Sequence, residues 1–275
     1  MTSERGAPPG SLRYFAVLFA PPDTRPVLEA LYDFEAEVRA TVDTNSHEAA
    51  HARVQWWRGE IDRLVAGRAT HPIAIALQPV RERRDVDLGL LHESLVAADL
   101  DLARMTYHNW QELEAYCMRA AGALQTVAAA VLAGDRPVSE DERRFARALG
   151  SAQRQAEMIR DVRHDLRRGR LYLPLDLVES AGITPTALQQ PAPPAGLDAL
   201  LAEWRVRVAG TLAELPGSLA DRTHRAAQRH GLVLGALHAR LLEESGRRAG
   251  SDDVRVEIGP FARLWTAWRT AVRHG

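Results

Sequence analysis

Apolar residues return at spacings of three and four along nearly the whole chain, and no stretch of any length alternates strictly between apolar and polar. This is the period of helices that bury one face, so the pattern predicts an all-α protein. Pro26 stands near the start of a helix that runs to about Val42, Ser46 precedes a long segment that stops at Gly67, and Pro72 begins a shorter one. Asn109 with Glu112, and Ser139 with Glu142, each fit the capping box, in which a cap side chain and the acid three residues later satisfy each other's orphan amides. They open two long helices, from about Trp110 to Ala133 and from about Glu140 to Arg168, with Gly134 and Gly169 as stops. Beyond a proline-rich loop, "QQPAPPAG" (Gln189 to Gly196), helices are expected near Leu197 to Glu214, Arg222 to Glu244 and Phe261 to Val272. The loop is too short to mark a boundary, so residues 1–275 read as one helical domain, with 1–12 expected to be disordered.

Composition narrows the chemistry. The 275 residues are 46% hydrophobic and nearly neutral, with 35 basic against 36 acidic residues, so no nucleic-acid footprint is expected. Every basic residue is arginine, which excludes chemistry through a Schiff-base lysine. Cys117 is the single cysteine; it rules out an internal disulfide and multi-cysteine zinc sites, and a reducing compartment is the simplest reading. The chain opens without the apolar core of a signal peptide, and no apolar run reaches the ~18 uninterrupted residues of a membrane span. The expectation is a soluble, cytoplasmic protein, with contact between an apolar surface patch and a membrane left open.

Two constellations could carry chemistry. "HEAAH" (His47 to His51) matches the zinc-protease pattern, but it sits in a first helical turn directly after Ser46 and no glycine-spaced third histidine follows. An exposed amphipathic helix start explains it as well. The second is "IRDVRHDLRRGRLYLP", where Glu157, Asp161 and Asp165 form an i, i+4, i+8 row on one helix face. Carboxylates so placed suit magnesium that also bridges to substrate phosphates. Alternatively, Arg154, Arg160, Arg163, Arg167 and Arg168 dress the row as solvated ion pairs.

The segment "LGSAQRQAEMIRDVRHDLRRGRLYLPLDLV" resembles the second aspartate-rich motif of the squalene/phytoene synthase family, written LGxAxQxxNxxRDxxxDxxxGRxYLPxxxx. Arg160, Asp161, Asp165, Gly169, Arg170, Tyr172, Leu173 and Pro174 fall in place. The likeness extends to "WWRGEIDRLVAGRATHPIAIAL", to "ELEAYCMRAAGAL" and loosely to the last two helices. The resemblance implies an all-helical isoprenoid-synthase fold with a central cavity, in which two aspartate-rich helices hold magnesium and a prenyl diphosphate. It makes Asp161 and Asp165 magnesium ligands, with Asp43 and Glu157 as further candidates. Arg170 and Tyr172 would stand at the diphosphate end of the cavity. Tyr116, in the family's "YC" block, would line it, where an aromatic face and polar tip could position diphosphate and steady a carbocation; a packed core tyrosine is the alternative. Cys117 beside it reads as a small buried apolar residue.

The chain also departs from the pattern. In "ALYDFEAEVRATVDT" the two leading acidic positions of the first motif are Arg39 and Ala40, and only Asp43 remains; the usual arginine is Ala36. The early Ser-Phe pair is replaced near Leu12 and Arg13, and the customary glutamine and asparagine of the second motif are Arg154 and Glu157. Ionising an allylic diphosphate needs charge stabilisation on both sides of the leaving group, so half a clamp should ionise poorly. Glu35 and Glu37 offer a shifted carboxylate set with Asp43, and Arg39 could grip diphosphate directly. The opening "RYFAVLFAPPDTRPVLEALYDFEAE" resembles a family branch with weakened first motifs that includes the respiratory complex I assembly factor. Two functions therefore follow: a magnesium-assisted prenyltransferase joining farnesyl or geranylgeranyl diphosphates, or a non-catalytic relative that binds an isoprenoid lipid or a respiratory assembly client. Whether the chain is an enzyme stays open.

Overall fold

The computed structural model describes residues 5–44, 46–188, 190, 194–247 and 256–274. Among them the chain is helical throughout and forms no strand. In order the helices are α1 (Leu12–Leu18), α2 (Arg25–Val42), α3 (His47–Val65), α4 (Pro72–Leu77), α5 (Leu91–Leu102), α6 (Trp110–Cys117), α7 (Ala123–Ala133), α8 (Glu140–Arg167), α9 (Leu175–Ser180), α10 (Pro185–Leu188), α11 (Leu197–Ser218), α12 (Arg222–Ala227), α13 (Arg229–Arg247) and α14 (Pro260–Arg273). A π turn, Met118–Gly122, joins α6 to α7 without breaking the rod. One main buried cluster runs from Ala16 to Ala271, so the elements share a single core.

The caps explain where the central helices begin. Ser139 Oγ accepts from the Glu142 amide and Glu142 returns the bond to the Ser139 amide, closing the expected box at the head of α8. At α6 only half of the box forms: Asn109 accepts from the Glu112 amide, while the Glu112 carboxylate takes the His108 amide instead. Trp110 to Ala133 is apolar enough to cross a membrane, yet 72% of its apolar window is buried, which marks the core helix of this fold. The predicted helix from Arg222 to Glu244 is broken into α12 and α13 at Gln228. The Gln228 side chain is drawn inward to the Ala129 carbonyl and Glu142, and that anchors the break.

The sequence reading did not contain α1, α5, α9 and α10. It also put residues 1–12 in a disordered tail; residues 1–4 lie outside the described residues, but 5–12 pack on the body. The Gly6 amide donates to Asp33 Oδ1 at 2.7 Å, and Ser11 Oγ caps α1. Half of the proline-rich loop lies outside the described residues, which there comprise Gln190 and Pro194 to Gly196.

Helix α8 is the axis, flanked by the π turn, α7, α11 and α13, while α2 packs on α4 and α5. The approach to the π turn is close because Gly150 lacks a side chain: a Cβ there would stand 2.6 Å from the Ala121 carbonyl oxygen and 2.6 Å from Gly122 Cα. Backbone cannot step aside as a side-chain tip can. Gly150→Ala is therefore expected to destabilise the fold by about 1–3 kcal/mol, read as a fall in the denaturant midpoint with an unchanged slope.

Candidate functional site

The C-terminal ends of α2 and α8 meet around a cavity of about 490 Å³. Helix α8 stops because Gly169 takes a left-handed φ of +71°. The Gly169 amide returns to the Leu166 carbonyl and the Arg170 amide to that of Asp165, the two bonds of a Schellman turn. The turn aims Arg170 and Tyr172 at the cavity. Arg170 donates to Asp43 Oδ1 at 2.7 Å and to the Val42 carbonyl, and Arg168 pairs with the same Asp43 at 2.9 Å. Asp43 thus latches the end of α2 to the turn after α8. Two guanidinium groups hold a carboxylate that the sequence placed among the metal ligands.

On the α5 side lies a polar aromatic cluster. Asp101 accepts the Tyr116 hydroxyl at 2.8 Å and the Tyr172 hydroxyl at 2.7 Å, one on each oxygen. Arg154 donates to the Tyr116 oxygen at 3.0 Å and the Tyr172 oxygen at 3.4 Å, with its guanidinium 5.7 Å and 5.3 Å from the two ring centres. Tyr107 stacks on Tyr172. Burial pushes both phenols well above their ordinary range, with Asp101 adding to the shift, so they stay protonated and serve as donors. Burial opposes the charge on Arg154, but the two phenolic oxygens and Asp101 more than offset it. Tyr172 lines the cavity as expected, whereas Tyr116 is buried behind it and is not a lining residue. The two meet around Arg154, which the sequence offered as a departure from the family pattern or as one arginine dressing the carboxylate row, and around Asp101, which it missed.

The floor between α2 and α8 holds a second network. Arg39 contacts Glu35 at 2.7 Å and Glu157 at 2.6 Å, without the alignment of a directed hydrogen bond to either. Arg13 donates to Glu35 at 2.8 Å and reaches Glu157 at 3.5 Å while lying over the Tyr32 ring. His238 stands 3.7 Å from Glu157. Both carboxylates are buried. Burial alone would raise the Glu157 pKa, yet Arg39, His238 and Arg13 together hold it well below the usual range. This revises the expected roles of two residues. Glu157 is no open metal ligand, since arginine already occupies the cation position, and Arg39 is committed to protein carboxylates before any diphosphate arrives. Glu37, the other acid proposed for a shifted set, pairs with Arg53.

Asp161 and Asp165 remain together on the cavity wall. Asp161 pairs with Arg160 at 2.5 Å. Asp165 makes no side-chain hydrogen bond or salt bridge among the described residues, and burial with the neighbouring Asp161 pushes its pKa up to about 6 against the pull of Arg154 and Arg170. On the α8 side Asp165 alone offers oxygens that no hydrogen bond or salt bridge among the described residues uses, since both oxygens of Asp161 accept from Arg160, so a divalent cation there would have to displace Arg160 to gain a second carboxylate. The α2 side does not fit one, because Arg39 fills it. Among the described residues no group of three or more potential ligands comes together, and at α3 His47 and His51 hydrogen-bond one another at 3.0 Å on an exposed first turn.

The raised Asp165 pKa carries a signed prediction. Such a group favours the fold below the ordinary aspartate pKa and loses that contribution as pH rises through about 6. Without metal, Asp165→Asn is expected to stabilise the protein by about 1–3 kcal/mol at pH 7 to 8, and the gain should vanish by about pH 4. Thermal melts across that range, in chelator, measure it.

Charge defines what the cavity accepts. Ten arginines line it against five aspartates. Arg163 and Arg205 form no salt bridge among the described residues, and burial depresses the pKa of Arg205, only partly offset by Asp198. Among the described lining residues arginine thus outnumbers aspartate, a composition that favours a phosphate group.

The family model for squalene/phytoene synthase matches residues 9–263. Among curated proteins, phytoene synthase 3 of Zea mays is 29% identical over 175 residues, covering 62% of this chain and 41% of that protein. Phytoene synthase of Narcissus pseudonarcissus is 31% identical over 178 residues, with the same coverage of 62% and 41%. The 15-cis-phytoene synthase of Synechocystis is 28% identical over 176 residues, covering 60% of this chain and 52% of that one. The chain thus spans about half the length of these relatives. A crystal structure of a dehydrosqualene synthase in complex with ligand superposes with a TM-score of 0.79 at 18% identity over 95% of this chain and 90% of the other. Squalene synthase HpnC from Alicyclobacillus acidocaldarius gives 0.72 at 21% identity, over 87% and 89%. Both likenesses establish the fold.

Proposed function

This chain belongs to the squalene/phytoene synthase family, and from that premise we propose that its cavity binds an isoprenoid diphosphate through arginine rather than condensing two of them through a pair of metal sites. One observation carries the reading: Arg39 sits between Glu35 and Glu157, with 2.7 Å and 2.6 Å contacts, where the family pattern has an aspartate facing an asparagine. A guanidinium fixed between two buried carboxylates already holds the cation position that magnesium would take on α2. The leaving group of an allylic diphosphate then lacks stabilisation on one flank. Ground-state binding does not suffer in the same way, because the arginine excess of the cavity supplies charge-assisted hydrogen bonds to phosphate oxygens without metal.

The unpartnered Asp165 beside Asp161 favours a second reading, a prenyltransferase in which magnesium bound by α8 alone assists ionisation. Incubation with magnesium and farnesyl or geranylgeranyl diphosphate separates the two. The binding reading expects neither released diphosphate nor extractable hydrocarbon above that of the Asp161→Ala, Asp165→Ala double variant. Metal-dependent turnover lost in that variant would replace it with the second.

A further inference from the structure

Helix α14, "PFARLWTAWRTAVR", packs the wrong way round for a helix of a globular core. Its small residues face inward, with Ala267 and Ala271 buried against the body. Its large ones face out: Phe261 is 87% exposed, Trp265 59% and Val272 64%, with Leu264 and Trp268 also exposed. At 100° per residue these five positions fall in one stripe about a quarter of the circumference wide. The two tryptophan rings lie 5.1 Å apart within it. Three arginines and no carboxylate occur in the helix. Arg263 is tied to the Gly10 carbonyl and Glu257, while Arg269 and Arg273 are exposed along one edge of the stripe.

We propose that this face of α14 docks on a lipid bilayer that carries anionic headgroups. An apolar stripe with tryptophans, edged by two exposed arginines on a helix without carboxylates, has the form of a helix that lies in the plane of a membrane interface. Charge sets this occupant apart from a second copy of the chain, because α14 offers no carboxylate to answer the arginines of a partner α14. Docking would also bring the cavity near the bilayer surface, since Val256 lines the cavity and Ile258 and Gly259 lead directly into the helix.

The test is co-sedimentation of the full chain with vesicles of phosphatidylcholine alone and of phosphatidylcholine mixed equally with phosphatidylglycerol, with tryptophan emission followed in parallel. Binding to the anionic vesicles with a blue-shifted emission is expected. Replacing both tryptophans, Trp265→Ser with Trp268→Ser, should weaken it by about tenfold or more. Arg269→Glu with Arg273→Glu should weaken it by a similar factor on anionic vesicles and little on neutral ones. These are surface positions, and unchanged circular dichroism confirms that the variants fold. Protein that stays in the supernatant with both vesicle types overturns the proposal, as does binding indifferent to the tryptophan pair. Self-association abolished by Trp265→Ser with Trp268→Ser, in the absence of vesicle binding, assigns the face to a second copy instead.

Discussion

Arg39→Ala is expected to cost about 2–4 kcal/mol of stability, less than the 3–5 of a fully buried pair, because a third of its side chain still reaches water. The loss arises from what stays behind. Glu35 and Glu157 remain buried side by side, with Arg13 as their shared arginine. In a chain of this size the change should appear as a fall in Tm on the order of 5–10 °C. Glu157→Gln removes the stranded charge, so the double variant should recover about 1–3 kcal/mol relative to the sum of the single losses. The pH dependence has a definite sign. Glu157 is held below the ordinary carboxylate range, so its contribution is present above that range and fades as pH falls through its lowered pKa. The gap between wild type and Arg39→Ala should accordingly be full at neutral pH and shrink below about pH 4. Additive losses, or a gap that does not change with pH, would mean that Arg39 and Glu157 are solvated separately.

Replacing Arg163 and Arg205 together by alanine is expected to weaken farnesyl diphosphate binding about a hundredfold while leaving stability within roughly 0.5 kcal/mol. Both line the cavity and neither is used in a salt bridge among the described residues, so the fold loses little when they go. Under the proposed function each would contribute a charge-assisted bond to phosphate that water replaces poorly. Burial depresses the Arg205 pKa, and an anion beside it would offset the cost of that charge, which favours binding. Calorimetric titration of the variant measures the loss, and titration with inorganic diphosphate separates headgroup from chain. An affinity equal to wild type would place the ligand outside this cavity.

Much of the fold was legible because its signals are local. Ser139, Asn109 and Gly169 mark helix ends through bonds to residues a few positions away, and the periods of α2 and α8 are long enough to read. Helix α5 escaped because Leu90, where it begins, gives no side-chain cap, the Asp87 cap serving the short helical turn before it, although Leu91, Leu95, Ala98 and Leu102 keep the helical period. Asp101, which organises both tyrosines, went unread with it. The site was legible residue by residue and not as a network. Arg13, Arg39 and Glu157 were visible as three separate departures from the family pattern, yet in the folded chain they form one cluster on three helices. Their meeting depends on how α1 and α2 lie against α8, which no spacing within one segment encodes. Arg154 is the same kind of case. It stands out in sequence as a substitution and in structure as the cation that the Tyr116, Tyr172 and Asp101 cluster surrounds.

The most direct test of arginine taking the place of metal is the affinity for farnesyl diphosphate measured by calorimetry in chelator and again in excess magnesium. Binding through the arginine-lined cavity predicts clear affinity in chelator, changed by no more than a few-fold when magnesium is added. Binding that is absent in chelator and appears only with magnesium contradicts it, and returns Asp161 and Asp165 to the centre of the site.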